Sequence, residues 1–178
     1  MIVIHADCLE DTNRLTKIYK DLENITLLYN PERKDLEEEL KRNPDPVIMF
    51  LGHGERGGFY TDYRGEEKLL DKDNVNLVKD RTVIGVWCYA SEFADSYGLH
   101  GFFTSMFISS WEESEMCGIR GDYTESDILK ELDIFCIRLN EFLKNNTPMK
   151  EWPKLLQKAC DKEKDFVRFN YEALVYYD

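Results

Sequence analysis

The chain has little positive charge and no long hydrophobic run. Lys and Arg number 23 against 35 Asp and Glu, so the formal net charge is -12, and such a surface repels nucleic-acid phosphates and anionic lipid headgroups. The longest apolar run, residues 46–51, is far shorter than the roughly 18 residues of a membrane span, and no basic segment precedes an apolar stretch at the N-terminus. We therefore expect a cytoplasmic protein that binds neither nucleic acid nor a membrane.

Sequence patterns for metals, disulfides and nucleotides are also missing. The five cysteines include no C-x-x-C pair, and the three histidines form neither H-x-x-x-H nor H-E-x-x-H. G-x-x-x-x-G-K-[ST] is absent as well, and the G-x-G-x-x-G spacing at residues 52–57 leads into the predicted hairpin and not into the helix that a dinucleotide site needs. We expect reduced thiols, no metal site and no cofactor, and we set a nucleotide-binding function aside.

The length and composition favour one compact domain over residues 1–178. The chain has 178 residues, 43% of them hydrophobic and 33% charged, which is enough to bury a core. No internal repeat, low-complexity tract or Pro/Gly/Ser linker divides it.

Hydrophobic periodicity predicts alternating strands and helices. Strands are predicted at residues 2–4, 25–29, 47–51, 82–87, 102–108 and 173–177. Helices are predicted at residues 9–22, 35–42, 69–78, 128–143 and 148–164, with one more beginning at Ser91. Residues 57–63 are predicted to form a small hairpin that turns at Arg64-Gly65, and residues 111–124 an acidic loop.

This order predicts an α/β fold with a mostly parallel central sheet of about five or six strands and helices on both faces, a Rossmann-like three-layer sandwich. Ligands bind such sheets at the carboxyl ends of the strands. His53 and Cys88 each follow a strongly apolar strand, at 47–51 and 82–87. The sequence therefore places these two residues as candidates at one edge of the sheet.

A thiol and an imidazole at one edge suit nucleophilic catalysis. A free thiol is only a few per cent ionised near pH 7, so a cysteine nucleophile needs a base such as His53 to take its proton. The amides of Gly54 and Cys88 are candidates for an oxyanion hole. His5, Asp7, Trp87 and Ser91 lie at strand ends or a helix start on the same edge, and we expect them to line the pocket.

These residues also resemble a known pattern. An apolar strand ending in Gly52-His53-Gly54, a short hairpin, and a second apolar strand ending in Cys88 resemble the caspase-like cysteine peptidases, which include caspases, legumain, gingipains, separase and bacterial CHAT domains. The likeness covers roughly residues 1–110 as an order of elements. The resemblance implies a caspase-like fold, a catalytic His53/Cys88 dyad, an oxyanion amide from Gly54, and a peptide or protein as substrate.

The chain departs from that pattern in two ways. The caspase signature Q-A-C-[RQG]-G is absent, and Trp87 stands just before Cys88, where these families usually have a small residue. Two hypotheses stay open: a cysteine-dependent hydrolase of the peptidase kind, or a non-catalytic binding or interaction module on a degenerate caspase-like scaffold. The oligomeric state stays open as well.

Other side chains near the predicted cleft have alternative roles. The acidic residues Glu92, Asp95, Glu112 and Glu113 can either select a basic peptide side chain or form an ordinary solvated surface, and we favour the solvated surface. The hairpin aromatics Phe59, Tyr60 and Tyr63 can contact a peptide by strand addition or pack against the domain.

Overall fold

A computed structural model describes residues 1–61, 67–160 and 163–178. Its main feature is a six-stranded sheet, whose strands are β1 (Ile2–His5), β2 (Thr26–Tyr29), β3 (Val47–Leu51), β7 (Thr82–Val86), β8 (His100–Phe103) and β9 (Val175–Tyr177). Their order across the sheet is β2-β1-β3-β7-β8-β9. The first five strands are parallel, and β9 pairs antiparallel with β8 at the edge.

The helices cover both faces of this sheet and complete a three-layer α/β sandwich. They are α1 (Glu10–Arg14), α2 (Thr16–Tyr19), α3 (Arg33–Arg42), α4 (Ala90–Tyr97), α5 (Trp111–Met116), α6 (Glu125–Lys144), α7 (Trp152–Ala159) and α8 (Asp165–Glu172). Of the helices in the described ranges, none is long and apolar enough to cross a membrane. The predicted α/β class, mostly parallel sheet and helices on both faces are confirmed.

Two apolar cores lie on opposite faces of the sheet, because successive side chains of a strand point to opposite sides. On β7, Ile84 and Val86 belong to the core under α6, whereas Val83 belongs to the core under α3 and α4. The central strands β1, β3 and β7 are buried on both faces, which explains their continuously apolar sequences.

A small three-stranded antiparallel sheet follows β3. It consists of β4 (Gly54–Glu55), β5 (Gly58–Tyr60) and β6 (Lys68–Leu70). Phe59 in β5 is fully buried against the core on the α4 face, and Tyr60 is half-buried with the Lys68 ammonium 5.6 Å from its ring centroid. Both aromatics therefore pack within the chain. Tyr63 and the predicted turn at Arg64-Gly65 lie outside the described residues.

Several predicted elements differ from the structure for local reasons. Residues 69–78 form β6 and a short 3-10 helix, Val75–Leu77, in place of an α-helix. The Asn74 side chain accepts from the Asp71 amide and donates to the Leu69 carbonyl, and such side-chain bonds compete with helical ones. The predicted helices at 9–22 and 148–164 are each interrupted, and α8 was not predicted.

The segment after β8 also differs from its prediction. The strand predicted at 102–108 is His100–Phe103, and the chain then leaves the sheet. Residues 111–116 of the predicted acidic loop form α5. The Ser110 hydroxyl accepts the backbone N–H of Glu113, which caps the first turn of that helix.

Candidate functional site

The parallel register of β3 and β7 brings His53 and Cys88 to equivalent positions. Leu51 pairs with Val86 at the carboxyl end of both strands, so each candidate lies two residues beyond its strand. Gly52 connects β3 to His53 and has a φ of 150°, a conformation that side chains rarely adopt. A Cβ at this position would lie 2.7 Å from the Ala6 carbonyl oxygen. Only glycine therefore fits the turn that leads to His53.

His53 and Cys88 line one small cavity of about 30 Å³. Its other lining residues are Asp11, Thr12, Leu15, Gly52, Val86, Trp87, Thr104, Phe107, Ser109 and Leu132. A larger open cleft of about 620 Å³ shares Asp11, His53 and Ser109 with the cavity. His53 and Cys88 thus line a common space, which shares three lining residues with a cleft large enough for a substrate side chain.

Asp11 faces the imidazole of His53. Its Oδ1 atom is 3.8 Å from Nε2 of His53, too far for a hydrogen bond. That Nε2 atom is buried and has no hydrogen-bond partner among the described residues. The Asp11 side chain is only 10% exposed, and its other oxygen accepts a hydrogen bond of 2.7 Å from the Ser109 hydroxyl. A small inward shift would let Asp11 accept the Nε2 proton and orient the ring.

The Cys88 thiol contacts two oxygen atoms. Its Sγ lies 3.5 Å from the Phe107 carbonyl oxygen and 3.5 Å from Oε1 of Glu113. Burial first, and then the negative charge of Glu113, raise the pKa of this thiol well above its ordinary value. In this arrangement the thiol stays protonated at neutral pH and donates to its neighbours.

The Glu113 carboxylate also binds the residue that holds Asp11. Oε2 of Glu113 accepts from the Ser109 backbone N–H at 2.7 Å and contacts the Ser109 hydroxyl at 2.9 Å. The preceding residue, Ile108, is fixed by Asn170, which accepts its N–H at 2.7 Å and donates to its carbonyl at 2.9 Å. A connected set of polar contacts therefore runs from Cys88 through Glu113 and Ser109 to Asp11, which faces His53.

The backbone around Cys88 has two features that suit a substrate site. The Cys88 N–H donates no hydrogen bond within the described part of the chain, so it is free for an oxyanion. Tyr89, the next residue, has a φ of 68° and precedes α4. Such a conformation is strained for a residue with a side chain. The guanidinium of Arg56 lies 3.9 Å from the Tyr89 ring centroid and stacks on that ring.

Trp87 and Gly54 fit against each other beside the cavity. The Trp87 indole is 2% exposed, and its ring contacts the aromatic rings of Phe50, Phe59 and Phe93. A Cβ on Gly54 would lie 2.1 Å from Cδ1 of that indole. The glycine after His53 therefore makes room for the large residue before Cys88.

Three expected pocket residues lie elsewhere. The cavity lining among the described residues includes Trp87 but not His5, Asp7 or Ser91. His5 is fully buried and bonded to the Tyr19 hydroxyl and the Thr12 carbonyl, and its pKa is lowered by burial. Asp7 accepts from Asn13 on a separate surface depression. Ser91 is buried and donates to Glu92. The structure thus gives these three positions other contacts.

The four acidic candidates divide into two groups. Glu112 and Glu113 line the open cleft. Glu92 accepts hydrogen bonds from Ser91 and Ser105, and Asp95 is exposed on α4. Neither of these two residues lines the open cleft. Only the pair on α5 therefore borders the site.

The sequence did not predict three parts of the site, which are Asp11, Ser109 and the contact of Glu113 with Cys88. The four residues Ser110 to Glu113 match the S-x-x-E pattern that begins many helices, and this pattern would have predicted α5. Asp11 and Ser109 are 98 residues apart in the chain, so no local pattern connects them. Three or more metal-ligating side chains converge nowhere in the ranges 1–61, 67–160 and 163–178.

Comparisons with protein-family models, with curated proteins and with solved structures find no match to this chain.

Proposed function

We propose that the protein is a cysteine-dependent hydrolase, and more narrowly a peptidase, in which Cys88 is the nucleophile and His53 the acid and base. The observation that supports this proposal is the register of β3 and β7, with His53 and Cys88 at equivalent positions and both in the lining of one cavity. Both residues follow the carboxyl ends of adjacent parallel strands, and α/β folds bind their ligands at these ends.

In the proposed reaction the Cys88 thiol gives its proton to His53, and the thiolate attacks the substrate carbonyl carbon. The carbonyl oxygen becomes an oxyanion that the free Cys88 N–H stabilises, with Gly54 as the second proposed donor. The imidazolium then protonates the leaving amine, and the bond between carbon and nitrogen breaks. Water, deprotonated by His53, hydrolyses the thioester and regenerates the thiol.

Asp11 fits this scheme as a positioning residue. An aspartate that accepts Nε2–H of His53 leaves Nδ1 unprotonated, and this atom can then take the thiol proton. The 3.8 Å separation is within the looser spacing expected before a substrate is bound.

The second candidate is a non-catalytic binding module that uses the same cleft. The observation that favours it is the contact of the Cys88 thiol with Glu113, together with the raised pKa of that thiol. A thiol without an ionised fraction packs and donates but does not attack. In this candidate function the cleft binds a peptide or protein partner and leaves it unchanged.

A degradome experiment separates the two candidates. The wild-type chain, Cys88→Ser and His53→Ala are each incubated with a diverse library of peptides, and new termini are identified by mass spectrometry. The hydrolase predicts cleavage by the wild-type chain at a shared sequence preference, no cleavage by Cys88→Ser, and at least a hundredfold loss in His53→Ala. Cleavage that persists in Cys88→Ser, or none with any form including Glu113→Gln, would overturn the hydrolase.

A further inference from the structure

Glu113 contacts both parts of the candidate site, although it is not needed for the proposed chemistry. One carboxylate oxygen lies against the Cys88 sulfur, and the other accepts the Ser109 N–H. The Ser109 hydroxyl, in turn, bonds to Asp11. A single side chain therefore holds the nucleophile and, through Ser109, the residue that faces the imidazole.

We infer that Glu113 is a latch on this site: its carboxylate keeps the Cys88 thiol protonated and holds Asp11 away from His53, and its displacement activates both. The inference rests on the proposed function, because a latch regulates only a thiol that reacts. It assigns the described arrangement to a latent form of the protein.

The hydrogen bonds of the Ser109 hydroxyl support this interpretation. The hydroxyl has one proton, yet its oxygen lies 2.7 Å from a carboxylate oxygen of Asp11 and 2.9 Å from one of Glu113. The hydroxyl can donate to only one of the two ionised carboxylates, and the oxygen of the other carboxylate then faces the lone pairs of the hydroxyl. Removing Glu113 leaves that proton entirely for Asp11 and releases the Ser109 backbone N–H, so that Ser109 and Asp11 can move together toward the ring.

The charged and titratable groups near the thiol in the described part of the chain come from different elements. Glu113 contacts it from α5, Asp11 acts on it from α1, and His53, in the connection between β3 and β4, lines the same cavity. The carboxylates of Glu113 and Asp11 raise the pKa of the thiol. Glu113 is the one in direct contact, so its loss has the larger effect on the thiol.

The position of Glu113 gives the latch a route of release. The residue lines the open cleft of about 620 Å³ in addition to contacting Cys88. Its carboxylate can therefore rotate toward the cleft without movement of β3 or β7. A ligand that enters the cleft meets this side chain before it reaches the thiol.

A purely structural role for Glu113 makes a different prediction. An acidic residue in the first turn of α5 stabilises that helix through its dipole and its bond to Ser109. That role requires only one carboxylate oxygen and does not affect the reactivity of Cys88. Glu112 shares the helix, the charge and the cleft with Glu113 but is not among the residues that act on the thiol, so it is the matched control.

The test measures iodoacetamide alkylation of Cys88 by peptide mapping, from pH 6 to pH 10, in Glu113→Gln and Glu112→Gln. Alkylation requires the thiolate, so removing the contacting charge is expected to raise the rate at pH 7.5 about tenfold. Glu112→Gln is expected to change the rate less than twofold. Equal rates in the two variants would overturn the latch.

Two further measurements keep the outcomes separate. Glu113→Asp retains the charge at the helix start but withdraws it from the sulfur, so it is expected to alkylate faster than Glu112→Asp even where Glu113→Gln does not fold. Adding His53→Ala to Glu113→Gln tests the hydrolase instead. If Glu113→Gln is alkylated fast and this addition has no effect, the proposed function fails, and only the control of the Cys88 thiol by Glu113 stands.

Discussion

Substitution of Gly54 by alanine tests how closely the candidate site is packed. The Cβ would lie 2.1 Å from Trp87 Cδ1 and 2.7 Å from the Gly58 carbonyl oxygen. The φ of Gly54 is outside the left-handed region, so the cost is steric. Trp87 is held by Phe50, Phe59 and Phe93 and cannot withdraw. Overpacking of this kind costs about 1–3 kcal/mol, and we expect the upper end.

The assay is urea unfolding followed by tryptophan fluorescence, with Gly57→Ala as the matched control. A Cβ at Gly57 meets only the flexible ends of Lys68 and Glu55, at 2.8 and 3.0 Å, so this variant is expected to lose less than about 0.5 kcal/mol. Trp87→Leu in the Gly54→Ala background is expected to cost less than the two single changes together, because it removes the clash. Equal losses in Gly54→Ala and Gly57→Ala would refute the packing argument.

Two more predictions concern stability around the site. Burial lowers the pKa of His5, so the unfolded chain takes up a proton below about pH 6.5 that the folded chain does not, and stability falls by up to about 1.4 kcal/mol per pH unit. Urea unfolding at pH 7.5 and 5.5 should show this loss of stability, and the loss should be smaller in His5→Gln. The same loss in His5→Gln would show that His5 does not cause it. Asn170→Ala removes both bonds to the Ile108 backbone and is expected to cost about 2–3 kcal/mol in the same assay; a loss below about 0.5 kcal/mol would exclude that anchoring role.

The sequence predicts the central sheet well because its strands carry their own signal. Residues 47–51 are apolar without interruption, as a strand covered on both faces must be, and they form β3. The helix predicted at 128–143 lies within α6, because its apolar side chains recur at helical spacing. In both cases the apolar residues that predict the element are the same residues that pack into the core.

The sequence predicts less where tertiary contacts decide the structure. Phe107 and Ile108 are apolar and buried, as expected of a strand, but they pack outside the sheet in a segment that Asn170 fixes from α8. The site shows the same division. His53 and Cys88 can be paired from their strands, whereas Asp11 and Glu113 reach them through contacts between distant segments.

The most direct test of the central claim, that His53 acts on Cys88 across the ends of β3 and β7, is the alkylation rate of Cys88 in Glu113→Gln with and without His53→Ala. The account predicts that loss of the imidazole slows alkylation at pH 7.5 at least tenfold. The same rate in both proteins would show that the imidazole does not assist the thiol and would contradict the account.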